Sequence, residues 1–193
     1  MKVSILFASL RNNSNTKLLL QPFITELQNN NVEVDFLTIK DMHIEPCTAC
    51  WRCQDIFDKP GCPKKDDMHL IYSSVLESDC IVFASPIYSW YCTPPLKAVM
   101  DRLVYGMNKY YGEEPGPCLW KNKKLALVTT CGYEIEEGAG VFEEGVKRYA
   151  KHSNLHYLGM LAVQDLDSKT TFTNDKAVAL AKNYAYKVIE SLK

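Results

Sequence analysis

Five short apolar runs alternate along this chain with five segments of helical period. The runs are Val3 to Ala8, Val32 to Thr38, Cys80 to Ala84, Leu125 to Thr129 and Leu155 to Val163, and several are nearly continuous, as strands covered on both faces should be. Apolar or small residues recur at i, i+3, i+4 and i+7 in Leu20/Phe23/Ile24/Leu27, Met68/Ile71/Tyr72/Val75, Leu96/Val99/Met100/Leu103, Phe142/Gly145/Val146/Tyr149 and Ala177/Leu180/Ala181/Tyr184. Each stripe is the core face of a helix. Alternation of this kind predicts an α/β domain with helices on both faces of a parallel sheet, its five strands in the order 2-1-3-4-5.

Local signals agree with these elements. Thr93 before Pro94 reads as an N-cap with proline at the first helical position, and Thr173, Asn174 and Asp175 offer capping oxygens to the last helix. Pro22 conflicts, because it lies inside the first stripe and predicts a kink or a lost backbone bond there. Two connections, Lys40 to Asp67 and Tyr105 to Asn122, read as neither strand nor regular helix. Connections that long usually carry function.

In an open α/β sheet, ligands bind beyond the carboxyl ends of the strands where strand order reverses, here after strands one, three and four. The first of these loops, Ser9 to Thr16, lacks the glycine patterns of dinucleotide-binding and P-loop folds. It offers Ser9, Arg11, Ser14, Asn15 and Thr16 at a helix N-terminus, a donor set for a phosphate, although Ser14 or Asn15 also serves as a plain N-cap. The second loop, containing Pro86, Ile87, Tyr88, Ser89, Trp90 and Tyr91, supplies flat amphipathic surfaces, which elsewhere are often core or interface. In the third, Thr130, Cys131, Gly132 and Tyr133, the glycine lets backbone approach a ligand or simply makes a turn. Together the loops describe a ligand with a phosphate tail and a planar polar ring, which fits flavin mononucleotide.

Composition narrows the classes. The chain has 193 residues, 22 basic and 23 acidic side chains and a formal net charge of −1, without the basic footprint of a nucleic-acid partner. No stretch approaches the ~18 apolar residues of a membrane span, and the first nine residues are too short for a secretory leader. A single domain covering 1–193, with a Cys-rich insertion at 40–67 and a cytoplasmic location, is expected. Eight cysteines in such a setting read as thiols, redox groups or metal ligands before disulfides. Cys47, Cys50, Cys53 and Cys62 form C-x2-C-x2-C-x8-C, whereas Cys80, Cys92, Cys118 and Cys131 are separate. Three occupants suit the cluster of four: a [4Fe–4S] group, zinc, or no ligand at all. The histidines, His43, His69, His152 and His156, lack a paired metal motif.

Taken in order, S-L-R-N-N-S-N-T after the opening strand, the cysteine run leading into Asp66-Asp67-Met68, A-S-P-I-Y-S-W-Y with T-P-P-L-K-A-V-M-D-R, and T-T-C-G resemble the flavodoxin-like NAD(P)H-dependent FMN reductase and quinone reductase group. The resemblance is closer to its iron–sulfur flavoprotein branch, and it covers Met1 to about Gly132. It implies a flavodoxin-like fold and an FMN whose phosphate is held by Ser9, Arg11, Ser14, Asn15 and Thr16. The isoalloxazine would lie along Pro86 to Trp90 and be bordered by Thr130 to Gly132. It also implies a homodimer or higher homo-oligomer with flavin sites near the interface. NAD(P)H would be the co-substrate, with a quinone, another small acceptor or a redox protein as partner.

No side chain is named as an acid or base, because the flavin carries the chemistry. Lys97, Asp101 and Arg102 match the family pattern and read as a structural ion pair. The branch resembled implies a [4Fe–4S] group at the cysteine loop, expected near the flavin edge, although the last gap is longer than in that branch. The alternatives are an iron–sulfur flavoprotein relaying electrons between protein carriers, a pure carrier, and a redox-sensing or binding module without turnover.

Overall fold

A computed structural model describes residues 1–166 and 174–193; the capping expectation for Thr173 lies outside the described residues. In chain order the elements are β1 (Lys2–Phe7), α1 (Asn15–Asn29), β2 (Glu33–Thr38), α2 (Met68–Glu77), β3 (Cys80–Pro86), α3 (Pro94–Met107), β4 (Lys124–Cys131), α4 (Ile135–His152), β5 (His156–Gln164) and α5 (Asp175–Ser191). All four strand pairings are parallel and the sheet order is β2-β1-β3-β4-β5, the order predicted.

The near-continuous apolar runs resolve into two faces with period two. Val3, Ile5 and Phe7, Cys80, Val82 and Ala84, and Ala126 and Val128 pack against Leu19, Leu20, Phe23 and Leu27 of α1 and Ala181, Ala185 and Val188 of α5. Leu6, Ile81, Phe83, Leu125 and Leu127 face Ile71 and Val75 of α2, Leu96, Val99 and Leu103 of α3, and Phe142 and Val146 of α4. The helical stripes therefore meet strand faces, except that Leu180 of the last stripe is exposed. Burial pushes the Cys80 thiol up to about 12, so it behaves as a small hydrophobe.

Some boundaries and caps differ from expectation. Strand β3 reaches Pro86 and β4 reaches Cys131, which moves Ser85, Pro86, Thr130 and Cys131 from loops into strands. Helix α1 runs through Pro22 as 15 residues, since one missing N–H is tolerated where Phe23 and Leu27 are held by the core. Thr93 is the N-cap of α3 but its hydroxyl makes no capping bond: Pro95 at the second helical position has no N–H, and the hydroxyl is turned to the backbone at the end of β1. Thr93 Oγ1 instead donates to Ala8 O at 2.7 Å, and Thr93 N donates to Ser85 Oγ at 3.0 Å, fastening the start of α3 to β1 and β3. Asn174 caps α5 as predicted, accepting from Ala177 N at 2.9 Å.

A single 3-10 turn, Ile39–Asp41, takes the first two residues of the expected irregular stretch, and residues 42–67 contain no helix or strand; residues 105–107 belong to the last turn of α3, and the irregular stretch after them begins at Asn108. Among the described residues no helix is long and apolar enough to cross a membrane.

Candidate functional site

Strand ends and a helix start converge at the carboxyl edge of the sheet. Ser9, Arg11, Ser14, Asn15 and Thr16, then Pro86, Ile87 and Tyr88, then Thr130, Cys131 and Gly132 line one cavity of about 600 Å³ of empty space. Ser14 caps α1, its Oγ accepting from Lys17 N at 3.4 Å, so the capping role and the cradle role fall on one residue: the hydroxyl keeps a proton to donate. The Thr16 and Thr130 hydroxyls pair at 2.8 Å, tying the first turn of α1 to the end of β4. Ser9, Ser14 and Thr16 are buried while Arg11 is exposed at the rim. Three preset hydroxyls, the dipole end of α1 and an exposed cation make an anion cradle.

Asp165 also lines this cavity and was not anticipated. It follows β5, whose Gln164 is in register with Cys131 of β4. Asp165 N donates to Cys131 O at 2.7 Å, and its carboxylate accepts from Asn15 Nδ2 at 2.8 Å, so the Asn15 amide is engaged in orienting this carboxylate. The usable signal is topological, since β5 neighbours β4 and its end must lie beside the site.

The second loop divides. Tyr88 and Tyr91 exchange backbone hydrogen bonds of 2.8 and 3.0 Å across Ser89 (φ 48°) and Trp90 (φ 64°). Two successive positive φ values make a tight turn of the mirror-image kind, uncommon for residues other than glycine. It swings Ser89 and Trp90 out of the cradle cavity and into a neighbouring hollow with Tyr133, where the Trp90 and Tyr133 rings stack at 6.2 Å and 8°. The hollows share Ile87, Cys131 and Gly132.

The four clustered cysteines occupy another place. Cys47, Cys50, Cys53 and Cys62 line one pocket together with Trp51, Gln54, Tyr72, Arg102 and Tyr105. None of these residues lines the cradle. Arg102 lies eight residues into α3, roughly 12 Å along the helix from its start beside Ala8. The sequence expects this loop near the flavin edge; within this chain it packs against Tyr72 of α2 and Arg102 and Tyr105 of α3 and shares no lining residue with the cradle.

Long-range bonds hold it there and close the eight-residue gap. Lys109 Nζ, buried, donates to Cys53 O at 2.8 Å and to Pro60 O at 2.9 Å, drawing the two ends of the gap together. Buried Gln54 donates to Tyr105 O at 2.6 Å and to Asn108 O at 3.1 Å, and its Oε1 accepts from Tyr111 N at 3.0 Å. The segment after α3, whose purpose the sequence does not reveal, is thus the floor of the cysteine loop. Gly106 permits the contact above it: an added Cβ would stand 2.5 Å from the Tyr72 hydroxyl, which donates to Arg102 O at 2.8 Å.

Arg102 is not part of the expected ion pair. Lys97 and Asp101 form that pair alone, at 2.6 Å and exposed. Arg102 is buried against the Asp66 carboxylate and also donates to Glu45 O and Cys62 Sγ, each at 3.2 Å.

The profile of the NADPH-dependent FMN reductase family matches residues 1–165. The chain belongs to this family. An iron-sulfur flavoprotein of Methanosarcina thermophila is 27% identical over 168 residues, 86% of this chain and 78% of that protein. Another, from Methanocaldococcus jannaschii, is 31% identical over 102 residues, 53% of this chain and 51% of its own, so the match spans about half that relative's length. Among solved structures, the NAD(P)H:quinone oxidoreductase from Methanothermobacter marburgensis superposes with a TM-score of 0.69 at 18% identity, over 96% of this chain and 93% of that one. This last likeness shows the shared fold.

In this FMN reductase family member, burial and nearby charges shift several groups at the cysteine pocket. In the cysteine pocket, the backbone N–H and guanidinium of Arg52 hold the exposed Cys50 thiol below its ordinary 9.0, while burial pushes Cys53 up. Burial also lowers Lys109. Burial alone would raise Asp66, but the Arg102 guanidinium and the Glu45 N–H outweigh it and hold the carboxyl below its ordinary 3.8. Among the described residues no three His, Cys, Asp or Glu side chains converge as ligands of a single ion must. A cubane needs no such common point, since each thiolate binds its own iron.

Proposed function

We propose that this chain binds FMN in the cavity at the ends of β1, β3 and β4 and passes electrons from NAD(P)H through it to a quinone, another small acceptor or a redox protein. One observation carries the reading: a buried hydroxyl cradle at a helix N-terminus and a wall made by Pro86, Ile87 and Tyr88 share a single cavity. Bound flavin supplies hydride acceptance at N5. The residues do the rest. Ser9, Ser14 and Thr16 donate to the phosphate and Arg11 closes over it. Asp165, an acceptor-only group, suits the hydroxyls of the ribityl chain. Gly132 leaves the backbone open to the ring edge, because an added Cβ there would approach only Asp165 O, at 3.9 Å. Trp90 and Tyr133 flank the ring side, where a second planar substrate would enter. The test is FMN binding by the purified protein, followed by flavin fluorescence quenching. Arg11→Ala with Ser14→Ala is expected to weaken affinity at least about tenfold, one charge-assisted contact; unchanged affinity, or no uptake by the unmodified chain, overturns the placement.

A second reading concerns the cysteine pocket. Four thiols line one space despite their long last gap, the donor set of a [4Fe–4S] group, and the relatives' names support it. Cys47, Cys50, Cys53 and Cys62 would be its ligands. Buried cations at Arg102 and Lys109 suit the negative charge of such a thiolate set. Anaerobic purification with iron and acid-labile sulfide assays decides it: both elements bound, and lost in Cys62→Ser, support the group, and a yellow flavin spectrum without iron overturns it.

A further inference from the structure

The buried arginine beside the cysteine pocket has a feature that the fold alone does not account for. Arg102 is 2% exposed, and its side chain spans two neighbouring hollows. One end of the guanidinium pairs with Asp66 and Glu45 O, Nη2 reaches Cys62 Sγ at 3.2 Å, and Nε is buried without a partner among the described residues. Burying a charged side chain costs several kcal/mol unless the site is fully satisfied, and an apolar pair in place of both Arg102 and Asp66 would pack α3 against the loop at lower cost. A buried donor left over in a native fold asks for an acceptor. Asp66 is arranged to serve the arginine: its Oδ2 also accepts from Glu45 N at 2.9 Å, and its Oδ1 from Met68 N at 3.3 Å. Asp66 and Arg102 together therefore hold both ends of the cysteine loop and the fourth sulfur.

We propose that Arg102 is a positioning residue for the cysteine pocket, one that presents the Cys62 sulfur and supplies the buried positive charge that sets the one-electron potential of the iron–sulfur group. This rests on the second reading above. Adding an electron to an already anionic group makes it more negative, so a cation at hydrogen-bond distance from one of its sulfurs stabilises the reduced form and raises the potential. Asp66 opposes that effect from the far side of the guanidinium. The two substitutions therefore act with opposite sign, which a role limited to packing would not produce.

The experiment compares the unmodified protein with Arg102→Gln, Arg102→Lys and Asp66→Asn after anaerobic reconstitution with ferrous iron and sulfide. It measures iron and sulfide content, bound FMN, and the midpoint potential by electron paramagnetic resonance. Arg102→Gln is expected to shift the one-electron equilibrium toward the oxidised form by roughly tenfold, about 59 mV downward, with FMN content unchanged. Arg102→Lys, which keeps the charge, recovers most of that shift. Asp66→Asn keeps an acceptor oxygen and moves the potential upward. If Arg102→Gln does not fold, the rise in Asp66→Asn still supports the inference. An unchanged or raised potential in Arg102→Gln, or a fall in Asp66→Asn, overturns it while leaving the iron–sulfur reading standing. No iron in the unmodified protein overturns that reading and this inference with it.

Discussion

The cradle at the sheet edge and the cysteine pocket on the outer face of α2 and α3 are built by different means. Residues of the cradle sit at the ends of β1, β3 and β4 and at the first turn of α1, so the sheet order alone delivers them to one place. The cysteines sit in a stretch without helix or strand, 42–67, and are brought together by bonds from distant residues: Lys109 to Cys53 O and Pro60 O, Gln54 to Tyr105 O and Asn108 O, and Arg102 to Glu45 O, Cys62 and Asp66. A site carried by regular elements inherits their rigidity. A site carried by a loop must import it through buried polar contacts, each of which is costly to break.

That contrast is open to test. The largest effect is expected from Arg102→Leu, which strands the Asp66 carboxylate in the interior; urea denaturation should show a loss of about 3–5 kcal/mol, and limited proteolysis should cut within residues 45–64 while the cradle still binds FMN. Equal loss of FMN would show that the two regions are not separable. The same pair predicts an acid response. Because the folded-state pKa of Asp66 is lowered, its contribution is complete above 3.8 and drains away as pH falls below it. Asp66→Asn should flatten stability against pH in that window, and an unaltered slope would mean the pair contributes nothing there.

Lys109→Met comes next, at about 2 kcal/mol, since two buried carbonyls lose their donor while the cost of burying a cation disappears. Hydrogen exchange should rise around Cys53 and Pro60 and stay unchanged in α1. In the cradle, Ser14→Ala removes only an N-cap and is worth about 1 kcal/mol; a larger loss would show that the first loop, too, depends on more than its elements. Smallest is Asp101→Asn on the exposed face of α3, at about 0.3–0.5 kcal/mol, which serves as the surface reference for all the others.

The same division separates what could be read from the chain and what could not. Apolar periodicity was sufficient for the five helices and for the central strands β1, β3 and β4, which are buried on both faces; the edge strands β2 and β5 are only partly buried, and the sheet order followed from the doubly wound fold class. Cradle residues followed from that order. Trp90 did not, since a turn with two positive φ values turned it toward Tyr133, and neither residue type announces such a backbone. Asp165 was overlooked because it closes no motif and acts only through its neighbour strand.

By itself, then, the sequence determined the alternation of buried runs and helical stripes, hence a parallel sheet with its cavity at the ends of β1, β3 and β4, and it supplied four cysteines at a spacing that invites a shared ligand. Tertiary structure alone decided where that loop goes and what holds it. Periodic patterns encode contacts within an element and its layer, whereas the partners of Lys109, Gln54 and Arg102 lie tens of residues away and are chosen by which buried carbonyls, carboxylates and sulfurs the fold brings within hydrogen-bond reach.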